Sequence, residues 1–341
     1  MVDPSSRIAV VVNGNAKSVT EDVISTLHQI LKGSDLFVSR HIDEAPEIAR
    51  TLVERGYGTV LTGGGDGTFT VMVTEVVRAA KEFGKKTPRF GLLKLGTGNA
   101  LAWVVGATAV GSDGLSADIE RLHREAGSRE IRLVEVEGTL SPFAGLGADA
   151  RVLADYNATK DWLQKTPFKP VAAGLLSYGI SAVTRTLPAY LLGDMPHVRV
   201  VNTGGEAYRV GPGGRVLGTY ATGALLHDGK ARICALGTIP FYGFGLRMFP
   251  FAEQRPDRMH LRLATITSLQ FVTQLKSIWE GTFENPSALD DFLVEAVSIE
   301  CEPSTDFQVG GDPRGKRTRV EARISAEPIQ LVDFYAQGPA E

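Results

Sequence analysis

An α/β fold is predicted for this chain: an N-terminal, mainly parallel α/β domain followed by a second, β-rich and sandwich-like domain. Three observations predict it. Apolar strand-like runs alternate with helical stretches from the start of the chain to about residue 128, the pattern of right-handed crossovers onto a parallel sheet. Two glycine-rich runs, GGGDGT at Gly63 to Thr68 and LGTGN at Leu95 to Asn99, each lie between such a strand and the next helix. Beyond about Arg129 the texture turns to short strand-like runs separated by glycines, which suggests a β-rich unit.

Arg7 to Val12 is the first strand, and NGNAKSV leads from it into a helix over about Val19 to Leu31. Leu36 to Ser39 is the second strand; in the helix after it, Ala45 to Arg55, the residues Ile48, Leu52 and Val53 share one face. The third strand, Gly58 to Thr62, delivers GGGDGT, and the helix Phe69 to Phe83 leads to the strand Phe90 to Lys94 and then LGTGN. Helical segments near Ala100 to Val105 and Gly114 to Ala126 close a domain placed at 1–128. In the second domain, placed at 129–324, strand-like runs stand at Arg132 to Gly138, Pro196 to Val201 and Ala231 to Leu236. Helices are expected over Leu175 to Leu187 and Gln270 to Trp279. Val320 to Tyr335 reads again as strand, and the tail at about 325–341 has the option of returning to the first domain.

Of the 341 residues, 43% are hydrophobic and 22% charged, a balance of globular proteins that argues against disorder. A formal net charge of −3 offers no general attraction to nucleic acid, which is not expected as a partner. Cys234 and Cys301 are expected as thiols or small buried side chains. The first residues lack a cationic stretch leading into a long apolar core, which argues against a secretory signal and for a cytoplasmic protein. Val171 to Gly193 approaches a membrane span in length, but Arg185 and Pro188 interrupt it, and a buried or amphipathic helix is expected instead. The histidines are dispersed without the spacing of a zinc site.

Both glycine-rich turns should stand at the carboxyl edge of one sheet, where phosphates bind. Turns without side chains let backbone N–H groups approach a polyphosphate and reach φ values that other residues resist, and the following helix amino terminus adds partial positive charge. Thr68, Thr97 and Asn99 add donors. Asp66 is the odd member, because a carboxylate beside phosphates is repulsive. Coordinating a bridging Mg2+, or accepting a proton from an attacking hydroxyl, would relieve that conflict. The alternative is an aspartate that hydrogen-bonds its own turn.

With both loops, this order of elements and a β-rich second half, the chain resembles the diacylglycerol kinase catalytic-domain superfamily, the group of bacterial soluble lipid kinases, sphingosine kinases and ceramide kinases. GGDGT alone also occurs in NAD kinases; LGTGNALA at Leu95 to Ala102 favours the lipid enzymes. The resemblance implies ATP and Mg2+ as cofactors and a lipid hydroxyl, as in diacylglycerol or a sphingoid base, as acceptor. It places nucleotide contacts at Asn13, Gly14 and Asn15, with Gly14 where the family usually has proline. Further contacts fall at Gly64, Gly65, Gly67 and Thr68, and at Gly96, Thr97, Gly98 and Asn99, with Lys94 where proline is common. Asp66 takes proton abstraction or metal-linked phosphate positioning. Asp149, within GLGADARV, is similar to an aspartate that contacts the lipid headgroup in sphingosine kinases, and Asp228, within HDG, to a structural metal ligand. The late Asp-Gly-Glu motif looks like Gly310, Gly311 and Asp312, so Asp312 keeps a carboxylate while the first acid is absent. Thr70 and Val71 replace an Asn-Glu pair.

Blander readings stand beside these. Asp149, between two alanines, suits a helix start, and Asp312, before proline, suits a turn. Lys160, Lys165 and Lys169 read as solvated lysines or as anion contacts. Ile239 to Ala252 (IPFYGFGLRMFPFA) reads first as core, with an acyl-chain pocket or a membrane interface as alternatives. The expected partners are a lipid substrate and a transient membrane surface, with a homodimer left open. An NAD kinase and a nucleotide- or lipid-binding module without activity are the competing readings.

Overall fold

The computed structural model describes residues 7–16, 18–31, 35–96, 99–107, 112–123, 127–147, 150, 195–267, 270 and 273–335. Its first layer is a six-stranded sheet. β1 (Ile8–Asn13) lies between β2 (Leu36–Ser39) and β3 (Thr59–Gly64), and β4 (Arg89–Lys94) follows β3, all parallel. The far end of the chain completes it: β18 (Ile329–Asp333) runs parallel to β4 and pairs antiparallel with β5 (Gly127–Ile131). The sheet order is β2-β1-β3-β4-β18-β5.

Helices α1 (Glu21–Leu31), α2 (Ala45–Glu54), α3 (Asp66–Glu82), α4 (Ala100–Val105) and α5 (Ser112–His123) lie between these strands in sequence. Helical spacing explains their packing: α2 buries Ala45, Ala49, Leu52 and Val53, and α3 buries Phe69, Met72, Val73, Val76 and Ala80. These faces join Ala9 to Val12 of β1 in one core, as expected for parallel strands that run as continuous apolar stretches.

The second layer comprises β6 (Val134–Val136), β7 (Thr139–Ser141), β8 (Phe143–Gly147), β9 (His197–Asn202), β10 (Ala207–Val210) and β11 (Val216–Tyr220). It continues with β12 (Leu225–Lys230), β13 (Ile233–Gly237), β14 (Met259–Ala264), β15 (Leu289–Val294), β16 (Ala296–Val309) and β17 (Asp312–Ile324). Together they form a 12-stranded sheet whose pairings are antiparallel. One core cluster draws side chains from strands as far apart in that sheet as β6, β9, β14 and β17, so the sandwich-like part is one continuous sheet curled around its interior. The long, bulged β16 pairs with β9 through Val297 to Glu302 and with β8 through Phe307 to Val309. A short helix, α6 (Leu275–Glu280), falls in the region where a helix over Gln270 to Trp279 is expected, and Gln270 and Thr273 before it are helical as well. The expected helix over Leu175 to Leu187 lies outside the described residues.

Ile239 to Ala252 is largely core, as first expected: Ile239, Tyr242, Phe249 and Ala252 are buried. It is anchored through His260, whose Nδ1 accepts from Phe251 N (3.4 Å) and whose Nε2 meets Asp291 (2.9 Å). Burial alone would raise the Asp291 carboxyl, yet Arg262, bound through two nitrogens at 2.7 and 2.9 Å, and His260 hold it well below the carboxylate range. Cys234 and Cys301 are buried free thiols; burial pushes Cys301 up to about 11, which leaves it unreactive. Among the described residues no helix is long and apolar enough to cross a membrane.

Candidate active site

β1, β3 and β4 end at one edge, and the segments leaving them touch. GGGDGT proves shorter as a turn than its glycines suggest: β3 runs through Gly64, Gly65 is the helix cap (φ −93°, ψ −175°), and Asp66 already begins α3. A Cβ at Gly63 would lie 2.7 Å from the Val12 side chain, one at Gly64 would collide with Thr68, and one at Gly96 would lie 2.5 Å from Gly65 N and 2.7 Å from Gly64 C. None of Gly63, Gly64, Gly65, Gly67 and Gly96 has positive φ. The expectation of unusual φ at these positions is therefore corrected: the close approach of two backbones is what excludes a side chain.

Positive φ falls instead on Asn99 (47°), a residue type that tolerates it. Asn99 is buried, and its amide closes its own loop: Nδ2 donates to Gly96 O (2.5 Å) while Oδ1 accepts from Gly96 N (3.3 Å). An amide expected to serve a phosphate is thus spent on the loop. Asn99→Ala removes both bonds and leaves alanine in the left-handed region, so a cost of about 1–2 kcal/mol is expected. A lower urea midpoint checks this.

Asn13 Nδ2 donates to Thr68 Oγ1 (3.4 Å), joining the first loop to the second, and Asn13 Oδ1 accepts from Asn15 N (2.9 Å). Asn15 Nδ2 donates to the Arg40 carbonyl (2.6 Å), and Gly14 N to that of Ser39 (2.7 Å). The structure therefore brings Asn13, Gly14, Asn15, Gly64, Gly65, Gly67, Thr68, Gly96 and Asn99 to one edge. Thr97 and Gly98 lie outside the described residues.

Asp66 sits where the loops meet. Its Oδ2 accepts from Ala100 N (3.0 Å) at the start of α4, while its Oδ1 is buried without a partner. Burial pushes the carboxyl up to about 6; the N–H groups of Ala100 and Leu101 oppose that rise, and nearby Asp312 adds to it. A raised carboxyl with an orphaned oxygen is poised to take a proton near neutral pH.

Asp312 reaches the same point from the other sheet. Gly310 and Gly311, at φ 59° and 85°, form the two-residue turn between β16 and β17, and Asp312 pairs with Val309 as the first residue of β17. The glycines make the turn, so the turn reading of Asp312 is corrected. A Cβ at Gly67 would lie 2.5 Å from Asp312 Oδ2, which places this carboxylate over the start of α3. Asp312 remains open to solvent on one side. The protein crowded around the rest of it raises its carboxyl, against a lowering pull from Arg314.

The two departures at Thr70 and Gly310 touch each other. A Cβ at Gly310 would lie 3.1 Å from Thr70 Cβ and 3.0 Å from Ser141 Oγ, and Thr70 Oγ1 donates to Ser141 Oγ (3.3 Å). An acidic side chain at 310 has no room beside Thr70. Ser141, on β7, escaped sequence reasoning because nothing in its neighbourhood marks it. Asp228 is exposed on β12, with Oδ1 3.1 Å from His197 Nε2, and no group of three or more metal-ligating side chains occurs among the described residues. Asp149 lies outside the described residues.

The family model of the diacylglycerol kinase catalytic domain matches residues 7–136. This part of the chain is similar to that family. The matched segment contains both glycine loops and Asp66, whereas Asp312 joins from beyond it. Two structures assigned as a diacylglycerol kinase from Bacillus anthracis str. Sterne superpose with a TM-score of 0.63 at 13% identity, covering 96% of this chain and 97% of that one. A third structure, a diacylglycerol kinase from the same strain, gives 0.59 at 11% identity over the same shares. At such identities the likeness is one of fold, and it spans both sheets. Among curated proteins no sequence match is found.

Asp312→Ala is expected to lower phosphoryl transfer, where the protein catalyses it, about tenfold, equivalent to about 1.4 kcal/mol, since water screens this exposed carboxylate. Calorimetric ATP affinity should hardly move. A tenfold loss of affinity instead would assign Asp312 to nucleotide binding.

Proposed function

We propose that the protein is an ATP-dependent lipid kinase, transferring a γ-phosphoryl group to a hydroxyl of a lipid such as diacylglycerol or a sphingoid base. One observation carries the reading: buried Asp66, with one oxygen fixed by Ala100 N–H and the other orphaned, stands between two apposed glycine loops and under Asp312. The match of residues 7–136 supports it.

Phosphoryl transfer needs a positioned nucleotide, neutralised phosphate charge and a base at the acceptor. In this reading the edge formed by Asn13 to Asn15, Gly64 to Thr68 and Gly96 to Asn99 receives ATP. Asp66 Oδ1 takes the proton of the acceptor hydroxyl as the oxygen attacks. In its alternative role, the orphaned oxygen with the neighbouring Asp312 fits Mg2+ instead of the acceptor proton, since that ion takes one or two carboxylates and leaves its other positions to water and phosphates. Bound there, the ion would supply charge neutralisation. The headgroup contact falls to Asp149, and the setting is cytoplasmic with transient membrane contact.

Purified protein incubated with labelled ATP, Mg2+, a panel of lipids in mixed micelles and, separately, NAD tests this directly. Label is expected in one lipid phosphate. Label in NADP would make the protein an NAD kinase. Gly310, where the family carries an acid, favours a second reading as a binding module without activity; ATP binding with transfer to no acceptor would establish it.

A further inference from the structure

α4 is buried along its length except at Trp103, which is 45% exposed. Around this indole an aromatic and cationic surface is assembled. Lys94 Nζ lies over the Trp103 ring at 4.9 Å, Phe241 stacks on it obliquely at 6.3 Å, and Gly245 approaches so closely that a Cβ there would touch the ring at 3.5 Å. The exposed Arg247 holds its guanidinium 5.6 Å from the centre of the Phe241 ring. Its backbone N donates to the carbonyl of Trp279 (3.0 Å), itself 41% exposed on α6.

We propose that Trp103, Phe241, Arg247 and Trp279, with Lys94, form the surface by which the protein docks on an anionic lipid bilayer. The proposal rests on the lipid-kinase reading. Indoles are the side chains that settle at a membrane–water boundary, and cations beside them are attracted to anionic headgroups. The chain as a whole carries −3, so the attraction is local to this face. The nearest acid on α6, Glu280, is engaged by Lys276 at 4.0 Å. The segment bearing Phe241 and Arg247 is held from beneath by buried Tyr242 and Phe249 and by the His260 contact to Phe251 N. The surface is continuous with the candidate active site: Lys94 ends β4, and Trp103 stands four residues beyond Asn99. Docking through it would bring the edge that holds Asp66 against the layer containing lipid hydroxyls.

Sedimentation of the full chain with phosphatidylcholine vesicles, with and without phosphatidylglycerol, tests the surface. Binding is expected only with the anionic lipid and with a blue shift of tryptophan emission. Arg247→Glu, and separately Trp103→Ala with Trp279→Ala, should weaken it at least about tenfold. Melting temperature, ATP affinity and transfer to a monomeric short-chain diacylglycerol should stay as in the unsubstituted protein. Arg247→Glu changes an exposed side chain, so a folding defect in the tryptophan variant does not blunt the test. Unchanged vesicle binding in Arg247→Glu overturns the proposal while leaving the kinase reading intact. Loss of a dimer in sedimentation velocity, with vesicle binding unaltered, would overturn it in favour of contact between copies of the chain. Binding that depends on the surface, with no lipid phosphorylated, would uphold the surface and remove the kinase reading.

Discussion

Asp66→Asn is expected to lower phosphoryl transfer by about 10² to 10⁴-fold, the range of a lost general base, while making the fold more stable at neutral pH. The two effects share one cause. Burial raises the Asp66 carboxyl from its ordinary 3.8 to about 6, which corresponds to about 3 kcal/mol. Above pH 6 the folded and unfolded chains are both ionised, and the fold carries the full cost of the buried charge. As the pH falls from about 6 towards 4, the folded protein takes up a proton before the unfolded chain does, and that cost is relieved. Asparagine carries no charge and can still accept from Ala100 N through its Oδ1. Its advantage in urea denaturation should therefore be largest at pH 7 to 8 and shrink towards pH 4. The kcat/KM of the unsubstituted protein should rise through about pH 6 in the free enzyme, and the residual activity of the variant should lack this limb. Near-unchanged turnover with reduced stability would make Asp66 a structural cap on α4 and nothing more.

Much of the first sheet is legible in the sequence because its information is local. Leu36 to Ser39 and Ala100 to Val105 fall where apolar spacing puts them, and α2 ends within a residue of its expected limit. GGGDGT misleads in a specific way. Glycine weighs towards a turn when read locally, but Gly63 and Gly64 pair with Leu93 and Lys94 of the neighbouring strand, and that ladder extends β3 past the expected boundary. The second sheet is less legible, since its pairing joins residues distant in sequence, such as Phe307 with Leu146. The site divides along the same line. Asp66 and Asp312 can be named from their motifs. Their meeting over Gly67 cannot be read from spacing, nor can the Thr70, Ser141 and Gly310 contact, because each rests on how the two sheets pack. Asn99 is the opposite case: its partner Gly96 is three residues away, and an asparagine bonding its own turn was within reach of local reasoning. Trp103 lies inside an apolar run, and only burial separates it from its neighbours.

Gly96→Ala is expected to be the most damaging change to the frame of the site, costing about 3 kcal/mol, at the upper end of overpacking effects, and abolishing measurable ATP binding. The reason is what the new methyl group would meet. Its neighbours are the Cα and N of Gly65 and the carbonyl carbon of Gly64, backbone atoms in the joint between β3 and α3. β3 is hydrogen-bonded to β1 on one side and β4 on the other, so this joint cannot recede without breaking the sheet. The second glycine loop must move instead, carrying Asn99 and the Ala100 N–H away from Asp66. Gly67→Ala supplies the contrast. There the methyl group meets the Asp312 carboxylate, the end of a side chain open to solvent, which can swing aside. That variant should lose under about 1 kcal/mol yet mimic the activity defect of Asp312→Ala. Urea midpoints and calorimetric ATP titration of the two variants separate the cases. A Gly96→Ala protein as stable as the original would mean that the two loops are not held in contact, and would remove the geometric basis for a shared phosphate site.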